Sequence, residues 1–405
     1  MICLIEALNY RSLQHVRQPL KPFQVLVGPN ASGKSTFLDV LAFLGDLISD
    51  GLDAAVEKRT SNFYDLLWQR KGERFELAVE AGFRPVSGSS GGHDTIRYEV
   101  AIGIERSTGE LRLLDEEVMF LDRKDHPDHR PGGLPRAEPP TVFLSQSTPG
   151  LRRLSKLPPK GDVGLTDSAC HGGDWECPFD QSQKALASFS RGANEYLRIM
   201  LVACLCLVRL ERGALRVPNP PGKGTTLRGD GSNLAWVISH LREGNPDGFA
   251  DWLSHLRTVL PSLTSMRVVE RPEDRHSYLM LEYRNGLEVP SWSLSDGTLH
   301  LLALTVIPYL PSGSTTWLIE EPENSIHPLN CEAVMQSLQS VYNGQVLVAT
   351  HSPVVLGLVK PEDVLVFSHD DEKGTQITVG SEHPGLRDWK GEVSLGTLFA
   401  GGVLG

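Results

Sequence analysis

The spacing of apolar residues along this 405-residue chain changes several times, and each change marks an element. Phe23–Val27 is a short apolar run that predicts a buried strand, and Phe37, Leu38, Val40, Leu41 and Leu44 follow at helical intervals. Residues 74–84, 96–105 and 110–122 alternate or run apolar and predict an antiparallel lobe, interrupted by the Gly/Ser-rich residues 87–92. Residues 125–140, rich in Pro, Gly, His and charge, predict a mobile loop. From Gln181 the pattern predicts helices: residues 186–210 are strongly apolar, and Leu234, Val237, Ile238, Leu241, Phe249, Trp252, Leu253 and Leu256 recur at helix-like intervals. Strands return at residues 265–270 and 278–283, a helix at 299–306, and two buried strands at 316–319 and Gln345–Thr350. No internal repeat or sustained heptad is present, so no long coiled-coil arm is expected.

The turn after the first of these strands carries the most specific chemistry. Gly28, Pro29, Asn30, Ala31, Ser32, Gly33, Lys34, Ser35 and Thr36 complete the G-x-x-x-x-G-K-[ST] pattern between an apolar strand and an apolar-faced helix. Backbone N–H groups in such a turn wrap phosphates at the helix start, Lys34 reaches the β- and γ-phosphates, and Ser35 offers a hydroxyl to Mg²⁺. The implied ligand is a nucleoside triphosphate.

Three further segments lie toward the C-terminus. Leu294, Ser295, Asp296, Gly297 and Thr298 precede an apolar helix whose first N–H groups could hold an anion, although Ser295 or Asp296 could equally be a plain N-cap. Residues 316–319 read as a buried strand ending in Glu320 and Glu321, and paired carboxylates at a strand end need a cation or a proton between them. A second buried strand delivers His351 to a turn closed by Pro353.

In this order the motifs resemble the ABC-type ATPases of the SMC/RecF/OLD-like group, closest to stand-alone ATPases of prokaryotic defence-type operons. The resemblance covers the N-terminal residues through Thr36 and the stretch from Leu294 to about Val366. It implies ATP and Mg²⁺ as ligands, with Ser35 and a glutamine on the metal and Glu320 at the position that orients it; the family more often has Asp there, and the longer Glu320 leaves direct contact and contact through water both open. It further implies Glu321 as general base, His351 as γ-phosphate sensor, and Leu294 to Thr298 acting on the nucleotide of an opposite subunit. Gln146, after the strand-like residues 141–144, is the candidate glutamine, with Gln69 as competitor. Arg11 resembles a basic residue that touches nucleotide, or is an exposed loop arginine; His327 resembles part of a partner-facing loop.

The expected fold is therefore α/β, with an ATPase core split between residues 1–70 and 285–405. An antiparallel β lobe at 71–150, with a loop at 123–140, and a mainly helical lobe at 151–284 are inserted between the phosphate loop and the signature segment. About fifty residues follow His351, fewer than an independent nuclease domain of usual size, so an appended nuclease like that of the OLD enzymes is not expected.

Composition narrows the rest. A 40% hydrophobic and 22% charged chain without a bilayer-length apolar run or a basic leader predicts a cytoplasmic protein with no membrane partner. The six cysteines are unevenly spaced and read as reduced thiols; Cys170, His171 and Cys177 lack a fourth zinc ligand. A net charge of −11 argues against coating nucleic acid, leaving Arg152, Arg153, Lys156 and Lys160 as the best local basic patch for direct binding. The expected function is an ATP-hydrolysing homodimer, or higher homo-oligomer, that works as sensor or switch for a separate effector such as a nuclease. A RecF-like DNA-repair ATPase and a structural ATP-binding scaffold with little turnover are the competing readings.

Overall fold

Pairing between distant strands organises the chain. In the computed structural model the described residues are 1–82, 95–121, 127–129, 135–137, 142–145, 196–222, 224, 226–311, 315–387, 389, 391 and 393–404. Their strands are β1 (Ile2–Tyr10), β2 (Leu13–Pro19), β3 (Phe23–Val27), β4 (Arg74–Gly82), β5 (Thr95–Ile104), β6 (Leu111–Leu121), β7 (Pro127–His129), β8 (Pro135–Ala137), β9 (Val142–Ser145), β10 (Leu205–Val208), β11 (Leu263–Glu270), β12 (Ser277–Tyr283), β13 (Glu288–Pro290), β14 (Thr316–Glu320), β15 (Gln345–Thr350), β16 (Val364–Asp370) and β17 (Gly374–Val379). The α-helices are α1 (Lys34–Asp50), α2 (Leu52–Glu57), α3 (Arg212–Arg216), α4 (Leu234–Gly244), α5 (Pro246–Val259), α6 (Asp296–Thr305), α7 (Pro328–Gln339), α8 (Pro353–Leu356) and α9 (Leu395–Ala400).

One sheet has the order β10-β14-β15-β3-β16-β17, with the first five strands parallel and β17 antiparallel. A second, antiparallel sheet has the order β2-β1-β4-β5-β6-β9. Strands buried on both faces read as continuous apolar runs, which is why residues 316–319 and 345–350 lack alternation. Their side chains still alternate between two cores. Leu318, Leu347 and Ala349 join α1 and the antiparallel sheet in one apolar cluster, whereas Trp317, Ile319, Val346 and Val348 join α4, α5, α6 and α7 in the other. Helix α1 is thus sandwiched between the two sheets. Gln345, nearly fully buried, ties them: its Nε2 donates to Ile2 O (2.8 Å) and Lys21 O (3.0 Å), and its Oε1 accepts from Ile2 N (3.0 Å).

Two expectations need amending. The apolar residues 186–210, read as helical throughout, contain a helical stretch ending at Ala203 and then β10, which pairs parallel with β14 in the core sheet. A short continuous apolar run cannot be told from a buried helix by periodicity alone, and here a partner distant in sequence decided it. Likewise β1 and β2, placed by sequence with the ATPase core, hydrogen-bond into the antiparallel sheet. Within the supposed loop 123–140, β7 and β8 form an antiparallel pair, and the remaining residues lie outside the described ones. The expected strands at 265–270 and 278–283 are β11 and β12.

Candidate nucleotide site

Strand β3 ends at Val27 and α1 begins at Lys34, so residues 28–33 form the intervening turn. Gly33, the N-cap of α1, has φ 103° and offers no side chain to cap the helix, which leaves the first-turn N–H groups open to an anion. The Ser32 hydroxyl is buried without a hydrogen-bond partner, as expected of a group placed to serve a ligand. Ala31 adopts φ 63°, while Pro29, Asn30 and Ser35 are exposed. Lys34 Nζ donates to Gly28 O (2.7 Å) and Pro29 O (2.9 Å), curling over its own loop. Burial lowers the Lys34 pKa from its ordinary value, and the negative charge of Glu321 opposes that shift.

The parallel sheet brings the distant motifs beside this loop. Strands β14, β15 and β3 are neighbours, so the residues after their carboxyl ends gather in one crevice, where open α/β sheets bind ligands. Glu321 takes a left-handed φ of 49°, its N–H donates to Ala349 O (2.7 Å), and its Oε1 lies 3.3 Å from His351 Nδ1. Asn324 Nδ2 donates to Glu321 Oε2 at 2.6 Å. Thr350 Oγ1 donates to Glu323 Oε1 (2.6 Å), linking the loop after the carboxylates to the turn holding His351. His327 caps α7, its Nδ1 accepting from Leu329 N at 3.3 Å. Arg11, with φ 52°, donates to Asp39 Oδ2 on α1 (3.1 Å), which also accepts from Tyr10 Oη (2.6 Å) and is paired with Arg59.

The Leu294 to Thr298 segment occupies a different neighbourhood. Ser295 caps α6, its Oγ accepting from Thr298 N at 3.1 Å. A Cβ on Gly297 would lie 2.5 Å from Ser325 O, so this helix packs against the loop after Glu321 as only glycine allows. Asp296 is held by Arg216 (2.7 Å) and Arg212 (3.2 Å), and Arg216 also donates to Trp292 O (2.8 Å).

Sequence reasoning missed these arginines and Arg209. Arg209 follows β10 and grips Glu320 with both arms, Nε to Oε2 at 2.7 Å and Nη2 to Oε1 at 2.9 Å. The one available signal was the recurrence of Arg209, Arg212 and Arg216 at the end of an apolar run. Gln146 lies outside the described residues, as do the Arg152 to Lys160 patch, Cys170, His171 and Cys177; β9, which precedes Gln146, belongs to the antiparallel sheet. Gln69, the competitor, is exposed and donates to Asp371 O (3.0 Å).

Among the described residues, no group of three or more His, Cys, Asp and Glu side chains could hold a metal by itself. The hydroxyl of Ser35 and the carboxylate of Glu320 are nevertheless hard oxygen donors of the kind Mg²⁺ takes when phosphates and water complete its shell. The donor chemistry fits, and Glu320 already carries a cationic partner in Arg209.

Residues 23–357 match the family described as "AAA domain, putative AbiEii toxin, Type IV TA system". No curated protein matches the chain. Among solved structures, the Smc head bound to the C-winged helix domain of ScpA is similar over 93% of this chain and 96% of that one, with 15% identity and a TM-score of 0.51. The Smc head with an extended coiled coil bound to the C-terminal domain of ScpA, derived from Pyrococcus furiosus, covers 93% and 95% at 13% identity and a TM-score of 0.48. The SMC head domain from Thermotoga maritima covers 93% and 98% at 11% identity and a TM-score of 0.41. The first likeness is one of fold; the other two carry no weight here.

Proposed function

This chain belongs to the AAA-domain family described as a putative AbiEii toxin of a type IV TA system and has the SMC/ABC-type P-loop fold, and from that premise we propose that it hydrolyses ATP. One observation carries the reading: adjacent parallel strands end in the Lys34 loop, in Glu321 and in His351. In the proposed reaction, residues 28–36 cradle the phosphates and Lys34 exchanges its loop carbonyls for phosphate oxygens. Glu321, positioned by Asn324 and His351, takes the proton of the attacking water. Ser35 and Glu320 would hold Mg²⁺, which when bound neutralises phosphate charge. Leu294 to Thr298 would complete the site of a second copy, making ATP the glue of a homodimer. The broadest part of the proposal is a switch in a prokaryotic defence system that controls a separate effector; the toxin–antitoxin wording of the family description bears on the defence setting alone.

The test is Glu321→Gln. ATP binding should persist, while steady-state phosphate release should fall by about 10²–10⁴-fold, the usual contribution of a general base. Undiminished turnover would sink the assignment.

A further inference from the structure

Parallel pairing of β10 with β14 sets Val208 opposite Ile319, so the next residues, Arg209 and Glu320, emerge side by side. The planar guanidinium matches the carboxylate as a two-bond fork, at 2.7 and 2.9 Å, and so engages both oxygens of Glu320. Exposure is unequal: the Glu320 side chain is 17% exposed and that of Arg209 57%. The carboxylate is thus the fixed member of the pair and the arginine the movable one. Both border a cavity of about 270 Å³, together with Glu321, His300 and Leu304, which leaves space beside the guanidinium. The neighbouring Glu321 turns away to Asn324 and His351. Paired carboxylates at a strand end need a cation or a proton, and for Glu320 the Arg209 side chain supplies the cation.

Resting on the ATPase reading above, we propose that Arg209 is a tethered counter-ion that competes with the divalent cation for Glu320. Metal–nucleotide loading then requires Arg209 to release at least one oxygen of that carboxylate. Arg209 acts through Glu320 and is a positioning residue. It holds Glu320 in place before the metal arrives, and it weakens metal binding by the strength of the fork.

The probe is Mn²⁺, with free ion measured by electron paramagnetic resonance in the presence of a non-hydrolysable ATP analogue, on the full chain. Arg209→Gln should bind Mn²⁺ about three- to fivefold more tightly than wild type, the scale of one partly exposed charge-assisted pair. Arg209→Lys, a point charge that cannot fork, should lie between them. Analogue binding in EDTA should be the same in all three proteins. Equal or weaker Mn²⁺ binding in Arg209→Gln, or loss of its metal-free analogue binding, would overturn the inference while leaving the ATPase reading intact. If wild type bound neither analogue nor Mn²⁺, the ATPase reading itself would fall and take the inference with it.

Discussion

Replacing Gly33 by alanine tests how the phosphate loop is braced. Gly33 sits at φ 103°, and a Cβ there would meet Thr375 Oγ1 at 2.2 Å, Ser12 Oγ at 2.9 Å and Thr375 Cγ2 at 3.0 Å. The backbone conformation alone should cost roughly 1–2 kcal/mol for a residue with a Cβ. Forcing a methyl against a buried threonine should add about 1–3 kcal/mol, because close-packed surroundings yield only in part. Gly33→Ala is therefore expected to destabilise the protein by about 2–5 kcal/mol, the summed limits. Thr375→Ala removes both the oxygen and the methyl that collide, at the cost of its 3.2 Å hydrogen bond to Ser12. In the double variant only the steric part should be relieved, so the two changes should couple favourably by roughly 1–2 kcal/mol. Urea denaturation followed by circular dichroism, extrapolated to water for all four proteins, measures this. Additive losses, or a Gly33→Ala protein as stable as wild type, would refute the reading that Thr375, on β17, packs against the loop at Gly33.

Ser295→Arg should abolish any ATP-dependent rise in mass seen by light scattering with Glu321→Gln, whereas Ser295→Asn, which keeps the helix cap, should preserve folding; equal mass changes would rule out a composite site. Burial lowers the pKa of His300 from 6.5, against the opposing effects of the Asn324 carbonyl and Asp296. A histidine kept neutral in the fold binds fewer protons there than when unfolded, so its contribution is full above about pH 6.5 and is lost as pH falls toward the lower folded value. His300→Gln should accordingly flatten the loss of melting temperature between about pH 7 and pH 5, and an unchanged slope would exclude His300 as a source of acid sensitivity.

Legibility followed locality. The phosphate loop could be read because nine consecutive residues carry its chemistry, with a strand before and a helix after. Likewise the strands ending in Glu320 and at Thr350 announced themselves as unbroken apolar runs, the signature of burial on both faces. What the sequence determined by itself was a set of short motifs, each complete within a few residues, and through their order the α/β P-loop architecture. Tertiary structure decided the partners. Leu205–Val208 became a strand only because β14 offered a free edge, and Arg209 became the partner of Glu320, 111 positions away, only through that pairing. Arg216, on α3, reached Asp296, on α6, across 80 positions through the packing of those two helices. A bidentate ion pair depends on the separation and orientation of two side chains in space, and no periodicity along a chain encodes the register between strands so far apart.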